Sequence, residues 1–153
     1  MKNGLITAII LFFTIGAFAQ TNDEVDLVQA AFGMEKVEIV MNYVKPTVEQ
    51  KDAFLEVYNA YEKERKELGK TRIKLLNQYA NEWEDITNKQ AESWMKNIMK
   101  LSLKQDKLIQ KYYKKVKGVT SAKVATQFYQ IESYILTSIR LSILEAIPFI
   151  DEK

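Results

Sequence analysis

The chain of 153 residues contains no cysteine and no histidine, and these two absences exclude several kinds of chemistry. Without thiols there is no disulfide and no thiolate nucleophile, and without imidazoles the usual ligands of zinc, nickel and copper are missing. A serine or threonine nucleophile would also lack its most common general base. We therefore expect no catalytic site, no metal site and no cofactor. Four methionines are assigned to core packing rather than to a soft metal: Met34, Met41, Met95 and Met99.

Glycine and proline are also scarce, with five and two residues. Beyond residue 19, glycine occurs only at 33, 69 and 118, and proline only at 46 and 148. So few helix breakers over this length predict long helices, and no segment alternates apolar and polar residues as a half-buried strand would. The fold class expected is all-α, as a four-helix, hairpin-type bundle.

The breakers and the apolar spacing place the four helices. The first is predicted over residues 23–43, and Pro46 ends it because the residue before proline avoids the α region. The second covers residues 47–84 and the third residues 87–117, both much longer than an average helix. The fourth covers residues 121–146. Its apolar stripe is Val124, Phe128, Ile131, Ile135, Ile139 and Ile143.

All four predicted helix starts carry a threonine cap, and Thr21 with Glu24 forms the capping box of the first. Thr47 with Gln50, and Thr87 with Gln90, form capping boxes, in which the threonine accepts from a backbone N–H and the glutamine reaches back. Thr120 is predicted to cap the fourth helix, after the stop that Gly118 provides.

The N-terminus has the layout of a secretory signal peptide. Lys2 is followed by an apolar run over residues 5–19 that ends in Ala17-Phe18-Ala19, which predicts cleavage before Gln20. The alternative is an anchor that stays attached, but the run is short for a bilayer, which needs about 20 residues. We expect a signal peptide over residues 1–19 and a single helical domain over residues 20–153. The absence of cysteine also fits an oxidising compartment.

Charge argues against one class of partner. The formal charge is +2, and removal of Lys2 leaves the mature chain close to neutral. A nucleic-acid-binding protein needs a basic excess to neutralise phosphates. We therefore expect no nucleic-acid partner.

Two of the three arginines fall in or beside the apolar stripe of the second helix. Glu132 lies between Phe128 and Ile135 on the fourth helix. Because a guanidinium matches a carboxylate well, we predict that Arg65 or Arg72 pairs with Glu132 and fixes the helix register. The alternative is that both arginines lie at the rim and reach water. Glu62 is assigned to a solvated acidic surface.

Lysines at steps of three and four form a basic strip on the third helix: Lys104, Lys107, Lys111 and Lys114. Such a strip could attract acidic clients or a membrane surface. The alternative is an ordinary solvated face that complements the C-terminal end of the helix dipole.

The threonine starts read PTVEQ at residues 46–50, ITNKQ at 86–90 and VTSAK at 119–123. Together they resemble the LTxxQ motif of the Spy/CpxP-like periplasmic family. Proline or another aliphatic residue replaces the leucine in each copy, and lysine replaces the glutamine in the third. Residues 50–68 look like the first long helix of that family, and residues 119–148 are similar to its final helix.

The resemblance implies a thin, curved, four-helix cradle in the periplasm, often an antiparallel homodimer. It also implies one of two roles. The first is an ATP-independent chaperone of envelope stress that holds unfolded or partly folded polypeptides. The alternative is a regulatory accessory protein that docks on a specific membrane signalling partner. Metal sensing, a third role in such families, is disfavoured here because histidine and cysteine are absent.

Overall fold

The computed structural model describes residues 36–150, and within them every regular element is helical. The elements are α1 (Lys36–Tyr43), α2 (Val48–Glu82), α3 (Asn88–Val119) and α4 (Ala122–Ala146), with a 3₁₀ turn (Trp83–Asp85) after α2. The prediction of an all-α bundle with long second and third helices is confirmed. The predicted signal peptide and residues 23–35 of the predicted first helix lie outside the described residues.

α2 and α3 form a long antiparallel hairpin, and α4 folds back along α3. At about 1.5 Å per residue, the 35 residues of α2 extend roughly 50 Å. α1 packs on α4 near the turn between α1 and α2, where the Lys45 amide donates to Gln127 Oε1 over 3.0 Å. Within residues 36–150, α1 therefore lies beside the half of the hairpin that contains this turn.

The core beside α1 is rich in aromatic side chains. Phe54, Tyr58 and Tyr61 come from α2, and the ring of Tyr61 makes edge contacts with Tyr112 of α3 and Phe128 of α4 at centroid distances of 5.3 and 5.2 Å. Such edge-to-face pairs stabilise beyond the area that they bury. The predicted stripe of α4 is buried here apart from Ile143, which is partly exposed.

Helix caps account for two of the turns as predicted. At the start of α3, the Thr87 amide donates to Gln90 Oε1 over 3.0 Å and the Gln90 amide donates to Thr87 Oγ1 over 3.4 Å. At the start of α2, the Thr47 amide donates to Gln50 Oε1 over 3.2 Å. Both glutamines thus reach back as a capping box requires.

The prediction that Thr120 caps the last helix is wrong. Ser121 is the N-cap of α4, and its Oγ accepts from the Val124 amide over 3.2 Å. Thr120 instead closes α3, where its hydroxyl donates to the Val116 carbonyl over 2.6 Å. α3 also continues through Gly118 to Val119, two residues beyond its predicted end.

Within residues 36–150, no helix has both the length and the apolar character needed to cross a membrane.

Candidate functional site

A buried charged cluster joins α1, α2 and α4. The Lys36 ammonium lies 2.5 Å from Glu62 Oε1 and 2.6 Å from Glu132 Oε2, and the Tyr61 hydroxyl donates to the same Glu132 oxygen over 2.7 Å. Arg65 clamps Glu62 from the other side, with Nε 2.8 Å from Oε1 and Nη2 3.0 Å from Oε2. Lys36 thus stands between two carboxylates that are largely buried.

The predicted pairing of Arg65 or Arg72 with Glu132 is therefore wrong. Glu132 is buried as predicted, but its cation is Lys36 of α1. Arg65 is used by Glu62, three residues earlier on its own helix, and Arg72 donates to Gln105 of α3. Glu62 belongs to this cluster and not to a solvated surface.

The cluster is arranged to hold fixed charges. Burial raises the pKa of Glu62, but Lys36 and Arg65 outweigh that effect, so the pKa lies below its usual value. Burial and the Glu132 carboxylate raise the pKa of Tyr61 well above its ordinary value, which keeps the phenol neutral. Because the carboxylates already have cationic partners, the cluster is suited to fixing helix register rather than to proton transfer.

Acidic side chains do not gather elsewhere in a way that suits a metal. Within the described part of the chain, no group of three or more carboxylate, histidine or cysteine side chains is placed to hold an ion.

A concave feature lies towards the other half of the hairpin, near the end of α2 and the start of α3. It is a groove of about 180 Å³ between α2, α3 and α4. We call it the apolar groove, and its apolar lining is Leu76, Trp94, Ile98, Leu101, Ile143, Leu144 and Ile147, with Arg72, Ser102 and Arg140 as its polar members.

Specific contacts hold the walls of the apolar groove. The Trp94 indole N–H donates to the Leu75 carbonyl over 2.9 Å, and its ring lies against Tyr79 with centroids 4.5 Å apart. The Tyr79 hydroxyl donates to the Pro148 carbonyl over 2.7 Å, which ties the end of α4 to α2. The groove is therefore built into the packing of three helices.

Exposed apolar side chains occur at the apolar groove and on the adjoining helix α3. Leu144 lines it and is 60% exposed, and Met95 and Met99 on the adjoining helix α3 are 43% and 56% exposed. The assignment of these two methionines to the core is wrong. They stand one turn apart on α3, next in sequence to Trp94 and Ile98 of the groove lining.

The basic strip has all four lysines exposed: Lys104, Lys107, Lys111 and Lys114. One of them is already engaged, since the Lys111 ammonium lies 2.7 Å from Glu64 Oε1 on α2. Glu64 also accepts from Tyr112, and burial together with this bond raises the pKa of Tyr112 to about 12. Whether the strip binds a partner stays a prediction.

Comparison of the chain with protein-family models, curated proteins and solved structures found no match.

Sequence reasoning missed Lys36 and the apolar groove. The signal for Lys36 was available, because a step of three or four places it on the same helical face as Ile39 and Val40. The groove had a weaker signal, the Met95–Met99 step beside Trp94. Neither spacing shows which neighbouring helix packs on that face.

Proposed function

We propose that the protein is an exported, chaperone-like binding protein that holds unfolded or partly folded polypeptides without using ATP. The observation that carries this proposal is the apolar groove with its exposed rim. A concave apolar surface that remains open after folding, bordered by polar groups, is what binding of apolar segments from many chains requires.

Two further features support the proposal. Met95 and Met99 are exposed on α3, next in sequence to Trp94 and Ile98 of the lining, and flexible, polarisable methionine side chains adapt to partners of different shape. The resemblance of the three threonine starts to the LTxxQ pattern points to the same role and to the periplasm. The apolar groove would hold the client, and folding of the client would release it.

The proposal is tested by suppression of aggregation, with two matched leucines. Leu144 lines the apolar groove and Leu103 does not, although the two are 60% and 61% exposed. We expect the mature protein to suppress aggregation of several unrelated unfolded clients at stoichiometric amounts. Leu144→Asp should abolish most of that activity, because a charge at the rim costs several kcal/mol to desolvate. Leu103→Asp should retain it.

An equal loss of aggregation suppression in Leu144→Asp and Leu103→Asp would refute the proposal. So would a wild-type protein that does not suppress aggregation. A single membrane protein captured in a pull-down, with no effect on aggregation, would instead indicate the regulatory role. Circular dichroism of each variant provides the check that the helices are intact.

A further inference from the structure

The apolar groove contains two of the three arginines of the chain, at positions where a purely apolar client would need none. Arg72 is buried at its α2 wall and donates to Gln105. Arg140 stands on α4 in the same lining, with a third of its side chain exposed. A guanidinium beside an apolar recess provides directional donors for an anion.

Arg140 is only weakly engaged within the described residues. Its Nη2 lies 3.3 Å from Asp106 Oδ1, a long contact to a half-exposed carboxylate. Its Nε is buried and has no hydrogen-bond partner in residues 36–150. Since a guanidinium offers five N–H donors in a fixed fork, it retains capacity for a further carboxylate.

The size of the apolar groove limits what can enter beside that guanidinium. Its volume is about 180 Å³. A recess of about 150 Å³ lined by aliphatic and aromatic side chains accommodates a benzene ring. One large apolar side chain therefore fits, and a carboxylate on a neighbouring residue of the same peptide would meet Arg140 at the edge.

Resting on the proposed function, we propose that the apolar groove selects polypeptide segments in which a large apolar residue adjoins an aspartate or glutamate. The apolar side chain enters between Trp94 and Ile143, and the carboxylate accepts from Arg140 in competition with Asp106. The basic strip on α3 does not provide this selection, because none of its four lysines lines the groove.

The test uses two short fluorescent peptides that differ only in Phe-Asp against Phe-Asn. Anisotropy titration of the mature protein should show about tenfold tighter binding of the aspartate peptide, the value of one charge-assisted hydrogen bond. In Arg140→Gln the two affinities should become equal. In Asp106→Asn the preference should increase, because the competing carboxylate is gone. Lys114→Gln removes one positive charge away from the groove and should keep the preference.

The outcomes separate this inference from the proposed function. Equal binding of both peptides by the wild type, sensitive to Leu144→Asp, would overturn the selection for acidic segments and leave the polypeptide-binding role intact. No binding of either peptide would overturn both. An equal loss of preference in Lys114→Gln and Arg140→Gln would assign the effect to long-range charge and overturn the role of Arg140. Displacement of the aspartate peptide by decanoate at equal concentration would point to a fatty-acid ligand. This result would also overturn the selection for acidic segments.

Discussion

Lys36 illustrates how one side chain can determine the stability of a helix packing. Its ammonium is enclosed by Glu62 and Glu132, and only 8% of the side chain is exposed. A buried ion pair gains little over apolar packing, but removal of one partner leaves an uncompensated charge in the core. The cluster therefore fixes the position of α1 on α2 and α4 more than it adds to net stability.

Replacement of Lys36 by methionine tests this account. We expect Lys36→Met to lower the free energy of unfolding by about 3–5 kcal/mol, because Glu132 loses its buried cation. Urea denaturation at neutral pH measures the loss. The double variant Lys36→Met, Glu132→Met should recover most of it. A loss below about 1 kcal/mol, the value of an exposed pair, would show that the cluster is solvated.

Acid unfolding should depend on Glu62. Its pKa is lower in the folded protein than the ordinary value of 4.5, because Lys36 and Arg65 outweigh the effect of burial. The stability that it contributes is therefore present above pH 4.5 and is lost as the pH falls through the folded pKa. We expect Glu62→Gln to be less stable at neutral pH and to lose less stability below pH 4.5 than the wild type.

The free energy of unfolding against pH measures this difference. Glu67, an exposed residue paired with Lys70, provides the matched control for glutamate-to-glutamine exchange. If the free energy of unfolding fell equally steeply below pH 4.5 in the wild type and in Glu62→Gln, the lowered pKa of Glu62 would be contradicted.

Among the helices, the turns follow from local chemistry, and so they could be predicted from the sequence. Pro46, Thr47 and Thr87 place the ends of three helices to within a few residues, because proline and capping boxes act over one turn of chain. The error at Thr120 has a local cause as well. Two hydroxyl residues stand side by side, and α3 continues to Val119, two residues beyond its predicted end, so the second hydroxyl becomes the cap.

Neighbouring alanine substitutions distinguish the two hydroxyls. Ser121→Ala should lower the free energy of unfolding by about 1 kcal/mol, since the Val124 amide loses its acceptor. Thr120→Ala should cost less, because its hydroxyl bonds a carbonyl that already accepts from the Thr120 amide. Thermal unfolding of both variants gives the comparison, and a larger loss in Thr120→Ala would restore the original assignment of the cap.

For the whole molecule, the cluster and the apolar groove occupy opposite halves of the hairpin. Glu132 could be predicted as buried because its position on α4 follows from helical periodicity. Its pairing with Lys36 could not be predicted, since Lys36 lies on another helix. Periodicity within one helix does not show which helix faces meet. The apolar groove could not be predicted either, because it depends on how the side chains of α2, α3 and α4 meet.

The proposed function requires that polypeptides enter the apolar groove, and the absence of cysteine allows a direct measurement. Ser102→Cys places a unique thiol in the groove lining, and Lys107→Cys places one on the basic strip. Each carries a photo-crosslinker, and an unfolded client is added in the dark before illumination. If polypeptides enter the apolar groove, we expect abundant client crosslinks from position 102 and few from position 107. Crosslinks mainly from position 107, or none from 102, would contradict it.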